Sequence, residues 1–174
     1  MKAIVAVDLD WGIGYKGNLL EKIPEDMKYF KQTTLGKIVV MGRETFESLP
    51  GKEPLKDRIN IVLSANGYFD DNRLIICRSL NELFRELEKY SESDVFVIGG
   101  ESVYTQLLPY CTEVYVTKIE KKYKADKHFC NLDKIETWKQ VSQSEVKISN
   151  NIKYNFVGYV NNKPIELNAF YKQP

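Results

Sequence analysis

Histidine is nearly absent from the chain: His128 stands alone. That excludes any site built on two or three imidazoles and leaves a Ser-His-Asp hydrolase dependent on one residue, with no G-x-S-x-G elbow to accompany it. Cysteine is scarce too. Cys77, Cys111 and Cys130 are odd in number and show no C-x-x-C spacing, so neither a disulfide framework nor a zinc site is indicated. An excess of one charge is missing: 25 Lys+Arg against 24 Asp+Glu leave a formal net charge of +1, without the basic surplus of a nucleic-acid binder. Long apolar runs are missing as well. Val95–Ile98 and Ile59–Leu63, the latter interrupted by Asn60, fall far short of the ~20 residues a membrane helix requires. At the amino terminus Ala3–Val7 stops at Asp8, too short for a signal-peptide core. Neither the Walker pattern G-x-x-x-x-G-K-[ST] nor the dinucleotide pattern G-x-G-x-x-G occurs. These absences lead us to expect a cytoplasmic, monomeric protein that handles a small molecule, with no nucleic acid and no membrane as partner.

What is present is a chain of 174 residues, 43% hydrophobic and 12% aromatic, enough for one domain with a core of its own. Strand-length apolar runs recur at Lys2–Val7, Lys37–Met41, Arg58–Leu63, Arg73–Cys77, Asp94–Ile98 and Glu113–Ile119. Several are nearly continuous, as in strands covered on both faces. Helical patterns separate them. Pro24–Leu35 opens on a proline with Glu25 and Asp26 in its first turn. Ser79–Tyr90 carries a capping box of Ser79 and Glu82 and an apolar face of Leu80, Leu83, Phe84 and Leu87. Glu101–Leu108 forms a shorter helix. Trp138–Lys147 and Ile152–Val160 alternate around Ser149-Asn150-Asn151, a pattern that fits an antiparallel hairpin at a sheet edge. The fold class is therefore α/β: a single domain with a central, mostly parallel mixed sheet flanked by helices and a C-terminal antiparallel hairpin. We place the domain at 1–162 and a polar C-terminal tail at 163–174.

In open α/β sheets ligands gather at the carboxyl ends of the strands. Three segments there carry chemistry. Val97-Ile98-Gly99-Gly100-Glu101 runs a buried strand into paired glycines and a helix, where backbone can approach a phosphate closely. Met41-Gly42-Arg43-Glu44-Thr45 repeats the strand-to-helix turn with a guanidinium and a hydroxyl, and Arg78 adds a further cation after a strand; together they suit a nucleotide with several phosphates. Asp26, beside apolar Met27 and Phe30, could grip an amidine-like edge of a heterocycle and help protonate it, or could simply be an exposed acid that complements the helix dipole. A fourth segment, Asp8–Ile23, has Gly12, Gly14 and Gly17 and no strand or helix period. Its sixteen residues exceed an ordinary connection and suit either a mobile lid or a merely floppy loop.

Taken together these segments resemble the dihydrofolate reductase family. The resemblance runs from about Ala3 to Phe129, with a weaker fit beyond. It is carried by Ile13-Gly14, by Pro24-Glu25-Asp26-Met27-Lys28-Tyr29-Phe30-Lys31, and by Val40-Met41-Gly42-Arg43-Glu44-Thr45-Phe46-Glu47-Ser48. Ile61-Val62-Leu63-Ser64, Val97-Ile98-Gly99-Gly100 with Val103-Tyr104, and Ala125-Asp126-Lys127-His128-Phe129 complete it. The resemblance implies hydride transfer from NADPH to C6 of 7,8-dihydrofolate with a proton reaching N5. By the same resemblance Asp26 is the active-site acid that holds the 2-amino group and N3 of the pterin. Ile4, Val5, Ala6, Met27, Phe30, Leu49, Ile98 and Thr117 match the pterin and benzoyl pocket, with Thr117 supporting the acid from behind. Arg58 matches the arginine that binds the α-carboxylate of the glutamate tail, flanked by Leu55. For NADPH it implies Ala6, Ile13, Gly14, Asn18 and Leu19 from the first strand and loop, and Gly42, Arg43, Glu44 and Thr45 from the second turn. Leu63, Ser64, Ala65 and Arg78 fall on the adenosine side. Ile98, Gly99, Gly100, Glu101, Ser102, Val103 and Tyr104 fall at the pyrophosphate and nicotinamide, Tyr104 beside the ring. Arg78 near the 2′-phosphate favours NADPH over NADH, and Asp126 sits where some relatives contact the loop through backbone.

The sequence also departs from the family. Leu19-Leu20-Glu21 stands where Leu-Pro-Trp is usual, so Glu21 either points outward or brings a second acid to the pocket. Glu101 replaces the third glycine, placing a negative charge near the phosphates unless it turns away. Ala65 replaces a hydroxyl, and Trp11 lies early in the loop, out of register with the missing tryptophan. Two rivals follow. The related reductase of riboflavin synthesis shares the Gly-Gly turn, but Asp26 and Arg58 argue against it. A non-catalytic module that binds NADPH or folate would show tight pterin binding without cofactor oxidation.

Overall fold

Each of the six apolar runs becomes a strand of one parallel array in the computed structural model, which describes residues 1–67 and 69–167. The order along the chain is β1 (Lys2–Val7), β2 (Gly12–Tyr15), β3 (Asn18–Leu19), α1 (Pro24–Thr34), β4 (Ile38–Gly42), α2 (Arg43–Ser48), β5 (Ile59–Leu63) and β6 (Leu74–Cys77). Then come α3 (Leu80–Leu87), β7 (Val95–Gly99), α4 (Glu101–Leu107), β8 (Glu113–Ile119), β9 (Lys127–His128), β10 (Trp138–Gln143), β11 (Lys147–Ser149) and β12 (Ile152–Asn161). Among the described residues the main sheet has nine strands in the order β10-β12-β8-β1-β7-β4-β5-β6, with β11 also on β12. The run from β8 to β6 is parallel, whereas β12 is antiparallel to β8.

Both faces of this sheet are covered, which is why the strand sequences are apolar at nearly every position. One face carries Ala3, Val5, Val7, Val97 and Val116 under Leu83, Phe84 and Leu87 of α3 and Val103 and Leu107 of α4. The opposite face holds two separate clusters. Val39, Met41, Val62 and Leu74 pack with Phe46 of α2, while Ile119 and Tyr154 pack with Ile23 at the entry of α1. The interval between them is where the site lies.

Several local expectations are refined. Ser79 caps α3 through its side chain, but Glu82 accepts from Arg78 N at 2.7 Å, so the box closes one residue earlier than its usual form. The expected strand Trp138–Lys147 is broken. Its register slips between Gln140 and Ser142, it ends at Gln143, and Lys147–Ser149 pairs separately with β12. The bulge lies against Gly158, where a Cβ would collide with Ser142 Oγ. The expectation of no regular structure in Asp8–Ile23 is corrected. β2 pairs β3 and also β9, more than a hundred residues away, in a three-stranded sheet. Strands of four and two residues are too short to show a period, and their partner is remote in sequence. The described part of the tail is anchored by Ile165 N to Pro109 O at 2.9 Å; the rest, 168–174, lies outside the described residues.

Asn60, the polar residue inside β5, explains itself in the fold. It is 2% exposed, and its carboxamide accepts from Leu55 N at 2.9 Å and donates to Leu55 O and Arg58 O at 2.9 and 3.1 Å. One side chain thus shapes the turn that carries Leu55 and Arg58. Replacing it by valine keeps the strand but leaves these backbone groups unpaired. Asn60→Val is expected to lower unfolding free energy by about 2–4 kcal/mol, read in urea as a lower midpoint at unchanged slope.

Candidate active site

The acid singled out in the sequence is placed by a helix start and answered by a strand. Pro24 occupies the first helical turn of α1, where its missing N–H costs nothing, and Asp26 follows in the same turn. Across the interface Thr117 of β8 is 1% exposed and its hydroxyl donates to Asp26 Oδ1 at 2.6 Å. Thr117 pairs with Ala6 of β1, so the carboxyl lies over the β1–β8 seam. Burial pushes the Asp26 pKa up, and the Thr117 hydrogen bond opposes that rise without cancelling it. Apolar groups with incomplete cover extend the cleft. Met27 is 44% exposed, and Phe30, Leu49, Leu55 and Ile98 are partly buried. Ile4 and Val5 are buried in β1.

Arg58 is held from three sides. Its Nε donates to Thr34 Oγ1 at 2.8 Å, Nη1 to Lys56 O at 2.9 Å and Nη2 to Lys31 O at 3.2 Å, with its centre 5.9 Å from the Phe30 ring. Three of five N–H groups are engaged, which leaves one on each terminal nitrogen for a further acceptor.

On the other side of the sheet centre, two strand-end turns press together. Gly99 has φ 128°, a conformation that needs glycine, and a Cβ on Gly99 or Gly100 would lie 3.3 or 3.2 Å from Thr45 Oγ1. A Cβ on Gly42 would lie 3.1 Å from Val103 Cγ2. Only Gly99 requires glycine by its backbone; at Gly42 and Gly100 a Cβ would be tight against Val103 and Thr45, so backbone and the Thr45 hydroxyl form the surface where β4 and β7 exit. Leu63 and Ile13 pack on the core of the α3–α4 face, and exposed Ala65 follows Ser64, whose hydroxyl donates to Asn66 O. Arg78 Nη1 donates to Ser64 O and Gly67 O at 3.2 and 2.9 Å, while Arg43 Cδ is 3.2 Å from where a Gly67 Cβ would be. Both cations therefore border one loop. Arg43 is paired with Glu47 at 2.9 Å on the surface, and Glu44 with Lys127 at 3.4 Å. Ser102 accepts from Gln106 on α4. Tyr104 is 5% exposed and its hydroxyl donates to Ile4 O at 2.7 Å, which places its ring in the core beneath Gly99 with its polar end on the β1 backbone.

The loop departures also have definite places. Asn18 donates to Lys16 O, and Leu19 is 57% exposed on β3. Asp126 reaches the loop with both backbone and side chain: its N donates to Gly14 O at 3.0 Å and its Oδ2 accepts from Lys16 N at 2.9 Å. Glu21 brings no second acid to Asp26. Its Oε2 accepts from Tyr123 Oη at 2.6 Å, which holds its carboxyl below the usual range. Glu101 turns aside and accepts from His128 N at 3.1 Å. Trp11 is buried in the core of the α3–α4 face, stacked on Phe129 at 6.2 Å. The residues that sequence reasoning missed are Asp8 and Tyr123. Asp8 is 4% exposed and accepts from Asp10 N, Gly12 N and Tyr123 N. Its only sequence signal is an acid at the end of an apolar strand, ahead of glycine.

Known proteins resemble the chain along most of its length. A dihydrofolate reductase of Bacillus subtilis (strain 168) is 37% identical over 143 residues, covering 82% of each chain. Dihydrofolate reductase type 9 of Escherichia coli is 31% identical over 171 residues, 95% of each. A bifunctional dihydrofolate reductase-thymidylate synthase of Glycine max is 36% identical over 91% of this chain, which spans 33% of that longer relative. Among solved structures, dihydrofolate reductase from Enterococcus faecalis, complexed with NADP(H) and RAB-propyl, superposes with a TM-score of 0.82 at 31% identity, over 92% of this chain and 95% of that one. The family model described as dihydrofolate reductase matches residues 1–161, the span that contains the acid, the arginine and both glycine turns, and the chain belongs to the dihydrofolate reductase family.

Proposed function

We propose that the chain reduces 7,8-dihydrofolate to 5,6,7,8-tetrahydrofolate at the expense of NADPH. The observation that carries this reading is Asp26, a half-buried acid with a raised pKa, backed by Thr117 and bordered by an incomplete apolar wall. The residues also fit the cofactor. The Gly99-Gly100 turn under Thr45 presents bare backbone, with Gly99 in a conformation that favours glycine, and Arg43 and Arg78 border the loop beyond it. NADPH, when bound, supplies the hydride. The protein's part is to align, to exclude water and to manage one proton.

Asp26 holds the pterin by its 2-amino group and N3 and favours protonation at N5, which makes C6 the better hydride acceptor. Thr117 fixes the carboxyl so that Oδ2 faces the ligand. Arg58 takes the α-carboxylate of the glutamate tail with its two remaining Nη hydrogens. The loop ending in Leu19 and Leu20 covers the junction of the two ligands. The substrate and cofactor are small molecules, and among the described residues no helix is long and apolar enough to cross a membrane.

The deciding experiment is the loss of NADPH absorbance on adding dihydrofolate, for the parent and Asp26→Asn across pH. The parent is expected to turn over, and the variant to lose ~10²–10⁴-fold in kcat near neutrality, with the deficit narrowing toward acid pH where solvent can protonate N5. Saturable binding of both ligands without oxidation by the parent would overturn the reading.

The same substitution has the opposite effect on stability. A carboxyl whose native pKa exceeds its unfolded value binds more protons folded than unfolded between the two. Stability therefore falls as pH rises through that interval and stays low above it. Asp26→Asn removes this penalty while its amide oxygen still accepts from Thr117. Thermal melts at pH 8 are expected to place the variant above the parent, the gap closing as pH falls toward the ordinary carboxyl value of 3.8.

For Arg58→Lys, which keeps the charge but loses the paired donors, KM for dihydrofolate is expected to rise roughly 10–100-fold with kcat changed far less. A dihydropterin without the glutamate tail should show no such rise, and an equal rise would remove Arg58 from the tail site.

A further inference from the structure

The segment between Asp8 and Ile23 begins and ends on the same residue. Tyr123 N donates to Asp8 Oδ2 at 2.9 Å, and Tyr123 Oη donates to Glu21 Oε2 at 2.6 Å. Neither contact is incidental to its surroundings. Asp8 is buried and its other oxygen accepts from Asp10 N at 2.9 Å and Gly12 N at 2.7 Å, fixing the start of the segment. Glu21 Oε1 accepts from Lys22 N at 3.2 Å, and the Tyr123 ring packs with Ile23, Ile119 and Tyr154, with Lys121 Nζ 4.7 Å from its centroid.

Beyond the packing of buried Ile23 against Ile119 and Tyr154, the far end has few hydrogen bonds of its own to hold it. Residues 20–23 belong to no strand or helix. Ile23 caps α1 without any side-chain hydrogen bond, and Pro24 has no N–H to offer. Yet Ile23 O accepts from Met27 N at 3.0 Å, so the position of Ile23 sets the first turn of α1 and with it Asp26. Loop closure through one residue removes conformations from the whole segment, and releasing either end restores them.

We propose that Tyr123 is a positioning residue: by clasping Asp8 with its N–H and Glu21 with its hydroxyl, it fixes the entry of α1 and the loop wall beside the pterin, and so places Asp26 for catalysis. Glu21 is its working partner in this chain. The inference rests on the reductase reading for its kinetic consequences only, since the clasp itself is a property of the folded chain.

The test uses Tyr123→Phe, Glu21→Ala, their double variant and Glu21→Gln, which keeps an acceptor oxygen. Amide exchange over residues 16–22 is expected to quicken by ~10-fold in each of the first two and no further in the double, while Glu21→Gln stays near the parent. In turnover, kcat/KM for dihydrofolate should fall roughly 10-fold in both single variants, again without further loss in the double, and KM for NADPH should stay within about twofold. Parental exchange in Tyr123→Phe would overturn the proposal. So would additive losses in the double variant, or an equal rise in KM for NADPH. A lowered Tm accompanied by parental kcat/KM well below melting would reduce Tyr123 to ordinary packing and also overturn it. A parent that fails to oxidise NADPH would instead remove the reductase reading, and exchange alone would then decide the clasp.

Discussion

Parallel strands must all leave the sheet on the same rim, and this constraint organises the molecule. β1, β4, β5, β6 and β7 lie side by side in one direction, so Asp8, Gly42, Ser64, Arg78 and Gly99 emerge along a single edge although they span some ninety positions of chain. Helices return the chain on both faces, and the faces differ. The α3–α4 side is one continuous core, whereas the side of α1 and α2 is split into two clusters. On that side Met27 is exposed, and Phe30, Leu49, Leu55 and Ile98 are only partly covered. Behind Asp26 lies the β1–β8 seam, where Thr117 of β8 supplies the polar contact.

Two influences are opposed at the Asp26 carboxyl. An aspartic acid on the first turn of a helix would ordinarily be favoured as an anion by the helix dipole. Here burial works in the other direction and wins, because the raised pKa persists despite the Thr117 hydrogen bond. The result is a group that gives up a proton less readily than a surface acid while still being gripped in a fixed orientation. Such a group is poorly suited to stabilising the chain near neutrality and well suited to sharing a proton with a heterocycle.

The legible parts of the sequence were those whose cause is local. β1 and β8 have the bounds that their apolar runs suggest, and Ser79 caps α3 as its position implies. Asp26 and Thr117 could be brought together only through family resemblance, since they are 91 positions apart. The β2–β3–β9 sheet escaped because its strands are too short to carry a period. Tyr123 escaped for a different reason: nothing in Lys121-Lys122-Tyr123-Lys124 distinguishes a clasp from a solvated basic stretch. Glu21 was ambiguous as long as its partner was unknown, and one hydroxyl 102 positions away resolves which way it faces.

The stretch from Lys121 to Phe129 is the common support of the loop and of the start of α4. It receives Leu9 N at Lys121 O, gives Asp126 N to Gly14 O and Phe129 N to Trp11 O, and presents His128 N to Glu101 at the start of α4. Magnitudes indicate what keeps this support in place. The Lys127–Glu44 pair is exposed on both sides and is worth at most ~1 kcal/mol. Burying Phe129, 3% exposed between Trp11 and Tyr104, contributes roughly 2–3 kcal/mol from apolar transfer. The aromatic anchor therefore outweighs the surface charges. Since Tyr104 beneath the Gly-Gly turn touches that same anchor, the loop and the turn are joined through core packing, where neither can shift without disturbing the other.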